Sequence, residues 1–461
     1  MATVLTGGTI VNATGSARAD LRMEGERITS IGVDVVREGD RVADVSGCYL
    51  FPGGIDPHTH FDLDVGSTVT ADDFSSGTRA AAAGGTTTII DFATQNRGET
   101  LSQALKKWHA KADGRSLIDY GFHIAISEIN DDVLHELETI ADEHGVTSAK
   151  LYMAYKRTMQ VDDFALLRAL QVTSRCGILL CVHCENGDVI DVLVQEAKAA
   201  GHLAPVYHAL TRPVAAEREA IQRAITLAEI AGAPLYVVHV SSGEGVEVIR
   251  QAQNRGLPIH GETCPQYLLL DSSRYGTEFS TARYVMSPPL RAAENQEPLW
   301  SALREGTLAT VGSDHCSFNM AEQKELGRED FSRIPNGGPG VENRFGLLLA
   351  SGVVGGKIDI HQFVAMISTN AARLFGLYPR KGVLAPGSDA DIVVWDPSTE
   401  QVISAATQVQ RVDYNLYEGF RQKGRVRDVF LRGEQIVSNG VVANTPCGRY
   451  LERQSTAIKE S

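Results

Sequence analysis

The chain has 461 residues, 43% of them hydrophobic and 22% charged. This is globular composition, too long for one ordinary domain, and it excludes a disordered chain. Its 43 basic against 57 acidic side chains give a formal net charge of −14 with no long basic run, which argues against nucleic acid or an anionic membrane as partner.

No apolar stretch approaches the ~20 residues of a membrane-spanning helix. The opening residues Met1 to Leu5 carry no basic start and no signal-type apolar core. The seven cysteines, Cys48, Cys176, Cys181, Cys184, Cys264, Cys316 and Cys447, are odd in number and scattered. They form no disulfide framework, and a reducing, cytoplasmic setting is expected.

In chain order, Val4 to Val11 reads as a hairpin, with two apolar arms around Gly7-Gly8. Leu21-Arg22-Met23 reads as a strand before a turn over Glu24 to Arg27. The far end repeats the arm-turn-arm pattern from Phe430 to Val437, and Asp391 to Trp395 is a further apolar strand. The two chain ends are therefore expected to build one small β domain. Between them, eight strand-like runs alternate with helical stretches: 54–59, 86–93, 119–126, 148–154, 178–184, 235–240, 259–264 and 309–313. Strand–helix alternation predicts a parallel sheet, and eight units predict a (β/α)8 barrel. A doubly wound open sheet is the alternative, but no dinucleotide glycine fingerprint follows the first strand.

Chemistry in such a barrel gathers at the C-terminal strand ends. The first run ends in His58-Thr59-His60, and alternation puts both imidazoles on one face, a good metal chelate. His183 and His239 end the fifth and sixth runs, and Asp314 ends the eighth. Lys150 lies inside the apolar fourth run, where it must either snorkel to water or find a partner. Four imidazoles and one carboxylate are generous for one zinc and short for two metals. A bridging anion is available if the Lys150 amine reacts with carbon dioxide to give a carbamate. Two metals ~3.5–4 Å apart would then share a hydroxide. Cys181 and Cys184 sit three apart on a strand, face opposite sides and read as packing. His315 is expected to point away from the metals, Cys316 to line the pocket, and residues 79–83 to be a helix face.

The set closely resembles the cyclic-amide branch of the amidohydrolases, the D-hydantoinases and dihydropyrimidinases. The resemblance rests on Phe51 to His60, Gly84 to Thr88, Lys150 to Tyr155, Val182 to Asn186, Glu262 to Tyr267, Ser287-Pro288-Pro289, Ser313 to Cys316 and Pro335-Asn336-Gly337. It implies a (β/α)8 TIM-like barrel over 52–375, a small β-sandwich domain from 1–51 plus 376–440, a tail over 441–461, and a homotetramer. It implies that His58, His60 and Asp314 hold one divalent metal and His183 and His239 the other, with carboxylated Lys150 as the bridge. Zinc comes first among the metals, with manganese or cobalt as alternatives. Asp314 would act as general base and Tyr155 as oxyanion donor, while Ser287 and Asn336 would bind the ring amides through backbone groups. No further Asp or Glu is expected at a neighbouring strand end in these motifs.

The activity so implied is hydrolytic opening of hydantoins or dihydropyrimidines to N-carbamoyl amino acids, with preference for the D-enantiomer. Dihydroorotases resemble this set but carry arginine where this chain has Asp62, and allantoinases typically lack the tyrosine found here as Tyr155. Non-catalytic relatives, the collapsin response mediator proteins, have lost metal ligands that are all present here. Leu63, Val65 and Met159, in segments following barrel strands, suggest that an apolar exocyclic substituent is tolerated.

Overall fold

The apolar runs between residues 54 and 311 form eight parallel strands: β1 (Gly54–Thr59), β2 (Thr86–Thr94), β3 (Asp119–Ala125), β4 (Ser148–Tyr152), β5 (Leu179–His183), β6 (Leu235–Val237), β7 (Ile259–Thr263) and β8 (Thr310–Val311). They lie side by side in sequence order in this computed structural model, which describes residues 2–455. Met1 and residues 456–461, the end of the expected tail, lie outside the described residues. Every residue of β1 and β3 is buried. Strands covered on both faces carry continuous apolar runs, which is why the sequence showed no clean alternation here.

The sheet closes on itself. Thr59 bridges His315 in parallel register, and the His60 N–H donates to the His315 carbonyl at 2.8 Å. Arg344 seals the same seam from inside. It is fully buried and donates to the carbonyls of Ile55 in β1 (3.0 Å) and Val311 in β8 (2.8 Å). Its guanidinium pairs with Asp56 at 3.5 Å, and Asp56 in turn accepts the N–H groups of His58 and Ser313.

Helices cover the barrel, among them Phe74–Ala83 after β1, Leu101–Ala112 after β2, Asp131–His144 after β3 and Asp163–Cys176 after β4. Each begins at a polar side chain, Asp73, Thr100, Asn130 and Asp162, that accepts an N–H of the first turn. The last two end at Gly145 and Gly177 in the left-handed conformation that glycine adopts without strain.

Both chain ends supply the β-sandwich. One sheet orders Arg27–Gly32, Asp20–Glu24, Thr3–Thr6 and Arg41–Asp44. The other orders Val441–Val442, Glu434–Ser438, Arg421–Leu431, Ile392–Val402, Tyr49–Pro52, Thr9–Asn12 and Gly15–Arg18. Leu5, Ile10, Leu21 and Met23 from the start share one core with Ile392, Val394 and Phe430 from the end. The expected hairpin at Gly7-Gly8 does not form. Its two arms enter different sheets, and Gly7, at φ 77°, is a corner whose N–H donates to Asp20. Apolar arms on a glycine pair look alike in both cases; what decides is that the first arm pairs with Asp20–Glu24 and the second with Gly15–Arg18. The second pattern is a true hairpin, with Arg421–Leu431 antiparallel to Glu434–Ser438 around Arg432 and Gly433, both at positive φ.

The sandwich is tied to the N-terminal end of the barrel, away from the strand ends that carry the chemistry. Lys381 meets Asp119, the first residue of β3, at 2.8 Å, together with Asp391 at 2.6 Å and Asp389 at 3.2 Å. Arg432 also pairs with Asp119. Near the chain end, Leu451 is fully buried and its N–H donates to the Tyr120 carbonyl at 2.7 Å.

Candidate metal centre

At the opposite end of β1, His58 and His60 share a face, with ring centroids 5.3 Å apart. Their Nε2 atoms lie 3.2 Å and 3.4 Å from Asp314 Oδ1. Ligand atoms of these three residues all fall within 4.8 Å of one another, close enough for one metal ion. His183, the last residue of β5, turns Nδ1 toward His239 Nε2 at 2.9 Å. The His239 and His58 rings are 5.4 Å apart, so the two groups adjoin. Lys150 is 1% exposed, with Nζ 4.8 Å from the centre of the Phe92 ring and 5.1 Å from that of Tyr152. Its ammonium makes no ion pair among the described residues, and full burial removes the snorkelling alternative.

Hydrogen bonds on the outer edges of the rings fix what the inner edges present. Glu262, near the end of β7, reaches His58 Nδ1 at 2.6 Å, and Glu185 reaches His183 Nε2 at 2.9 Å. A carboxylate accepts, so each imidazole donates there and keeps a lone pair on its other nitrogen. The His58 lone pair then faces the Asp314 carboxylate, and the His183 lone pair faces another imidazole. His60 Nδ1 is buried with no hydrogen-bond partner among the described residues. A lone pair of His58 facing the Asp314 carboxylate needs a cation between them, and the donor types gathered here fit a divalent metal.

Burial lowers the pKa of His58, His183 and His239, keeping them neutral as metal ligation requires. Burial also lowers Lys150. Burial pushes Glu262 up to about 7.

His239 (φ 42°) and Asp314 (φ 50°) stand in the left-handed region. The ladders of β6 and β8 therefore stop at Val237 and Val311, short of the expected Val240 and Ser313. Left-handed non-glycine residues are costly and cluster at functional sites. Tyr155, in the loop after β4, is a third at φ 68°, and its ring lies 5.1 Å from that of His183. Burial raises the Tyr155 hydroxyl pKa, so its proton stays available for donation. Ser287 Oγ lies 3.5 Å from His208 Nε2. Asn336 is half-buried and its side chain makes no hydrogen bond among the described residues. Its neighbour Gly337 packs against Cys316, two residues beyond Asp314, so closely that a Cβ would fall 2.3 Å from the Cys316 carbonyl oxygen.

The expectation of no further strand-end carboxylate is corrected by Glu262, with Glu185 as a second buried carboxylate two residues past β5. Both appear in the motif text, but their partners stand on the far edges of the imidazoles, which strand alternation does not reveal. His315 points away as expected, toward Asp72 at 3.0 Å. Cys181 and Cys184 fall in different apolar clusters, and all seven cysteines are free thiols. No helix among the described residues is long and apolar enough to cross a membrane.

Fold and site together define a barrel enzyme of the metal-ligating type. Residues 49–436 match the amidohydrolase family. The chain is 52% identical to a D-hydantoinase of Geobacillus stearothermophilus, covering 98% of this chain and 97% of that one. It is 49% identical to a D-hydantoinase of Streptomyces coelicolor, over 95% and 94% of the two chains. The crystal structure of a dihydropyrimidinase from Brevibacillus agri superposes with a TM-score of 0.98 at 49% identity, covering 99% of both chains. This chain belongs to the amidohydrolase family, within its D-hydantoinase and dihydropyrimidinase group.

Proposed function

We propose that this enzyme opens five- or six-membered cyclic diamides, hydantoins or dihydropyrimidines, to N-carbamoyl amino acids. The observation that carries the reading is the gathering of His58, His60 and Asp314 within reach of one ion, with His183 and His239 adjoining them. His58, His60 and Asp314 would hold one divalent metal, His183 and His239 a second, and Lys150 as its carbamate would bridge them. Zinc is the first choice, with manganese or cobalt as alternatives. When bound, the metals lower the pKa of water and polarise the ring carbonyl.

The chain's own residues do the rest. Asp314 keeps 13% of its side chain exposed, enough to meet the attacking water, take its proton and pass it to the leaving ring nitrogen. Tyr155 donates its hydroxyl to the carbonyl oxygen as charge develops there. Ser287 and Asn336 read the ring amides through backbone groups. Asp62 accepts from the Phe74 N–H at 3.2 Å, capping a helix rather than serving the substrate, which sets the dihydroorotase reading aside. Leu63, Val65 and Met159 line the mouth for an apolar exocyclic substituent. The barrel over 52–375 and the sandwich over 1–51 plus 376–440, followed by the tail, would assemble as a homotetramer, and the free thiols suit a reducing cytoplasm.

The test is hydrolysis of racemic 5-substituted hydantoins, with chiral chromatography of the N-carbamoyl products. D product is expected; predominant L product would overturn the stereochemical reading, and no product the whole of it.

A further inference from the structure

The loop beyond β8 holds a lysine for which the chemistry above has no use. Lys324 is fully buried. Its Nζ donates to three backbone carbonyls: Val285 at 2.9 Å, Pro335 at 2.7 Å and Gly337 at 2.7 Å. An ammonium has three N–H groups, and all three are used. No carboxylate pairs with it among the described residues. The groups facing it are the Phe318 ring, 5.7 Å away, and the Cys316 thiol. Burial alone lowers it to about 7. A buried lysine without a counter-ion is expensive, and an apolar side chain would fill the space at less cost.

The three carbonyls belong to two loops. Pro335 and Gly337 flank Asn336, and Val285 lies two residues before Ser287. The Gly337 N–H also donates to the Val285 carbonyl at 3.0 Å, so the two loops meet at one node with Lys324 on top. The residue before the lysine reaches a third segment. Gln323 Nε2 donates to Thr68 Oγ1 at 2.9 Å and to the Val69 carbonyl at 2.6 Å, on the mouth segment that follows β1.

We infer that Lys324 is a positioning residue for substrate binding: its three hydrogen bonds set the spacing of the backbone groups at Ser287 and Asn336 that grip the ring. This rests on the proposed role of those two residues. Lys324 touches neither the metal ligands nor Tyr155, so its loss is felt in ring binding rather than in the chemical step.

The test compares wild type with Lys324→Met, which keeps the length and removes the donors, and with Lys324→Gln, which keeps two. Steady-state kinetics on a hydantoin should show KM raised about tenfold in Lys324→Met and less in Lys324→Gln, with kcat and metal content near wild type. Unchanged KM in folded variants would overturn the proposal, as would a fall in kcat with loss of metal. Insolubility of both variants would assign Lys324 to folding and overturn it as well. A ring-N-methylated hydantoin separates the two layers of the argument. Wild type that binds it as tightly as hydantoin would sink the role of Ser287 and Asn336, whereas wild-type discrimination retained undiminished in Lys324→Met would sink Lys324 alone.

Discussion

Two of the four site imidazoles, His58 and His183, are oriented by a carboxylate on the outer edge, and Glu262 does this for His58, the residue at the centre of the cluster. It also accepts from Tyr236 at 3.0 Å, so its own position is fixed. Replacing Glu262 with Gln keeps the shape and removes the formal negative charge that favours donation from His58. Metal affinity should drop about 10- to 100-fold, measured by chelator competition; affinity equal to wild type would make Glu262 a packing residue. That His58, His60, His183, His239 and Asp314 gather at one place was legible in the sequence, because histidines at the ends of apolar runs have little other business there. Glu262 was not, since it acts on a residue 204 positions away across the barrel. Lys324 was hidden for a different reason: lysine in an irregular loop reads as surface, and only the three converging carbonyls show otherwise.

Among the elements, the seam between β1 and β8 matters most, because His58 and His60 stand at one side of it and Asp314 at the other. β8 has only two ladder residues, so side chains must complete the joint. Arg344 does so from within, holding two strand carbonyls and Asp56. Substituting Arg344 by Met would leave Asp56 without its cation in the core and take a donor from both carbonyls. The expected loss is about 3–5 kcal/mol of stability in urea unfolding, by analogy with other broken buried pairs. A loss below about 1 kcal/mol would show that the ladder closes without it. The eight strands could be read from apolar runs and helix spacing. The sandwich strands were harder, because short arms around glycines do not reveal whether they pair with each other or part into two sheets.

On the scale of the whole molecule, Lys381 and Arg432 join the sandwich to the start of β3. Burial acts to raise Asp119, but Lys381 and Arg432 outweigh it and hold its pKa below the ordinary value. A carboxyl depressed on folding contributes stability that is present above its unfolded pKa of about 3.9 and is lost as pH falls through the folded value. Lys381→Met reverses the sign. Asp119 and Asp391 then lose their shared cation, their folded pKa values rise, and the variant recovers relative to wild type as acid protonates them. The variant should lose about 3–5 kcal/mol at pH 7 and distinctly less near pH 4, read from urea midpoints across that range. A deficit that does not change with pH would mean that Lys381 contributes packing alone.

On the proposed function, one strand-end cluster would hold a metal pair that Lys150 completes. A lysine cation beside two divalent metals is electrostatically untenable, whereas a Lys150 carbamate would supply a compensating anion. The most direct test is elemental analysis of purified wild type beside Lys150→Ala. Wild type should carry close to two divalent metals per chain, and Lys150→Ala should lose the pair together with nearly all activity. Two metals and near-normal turnover in Lys150→Ala would contradict the account.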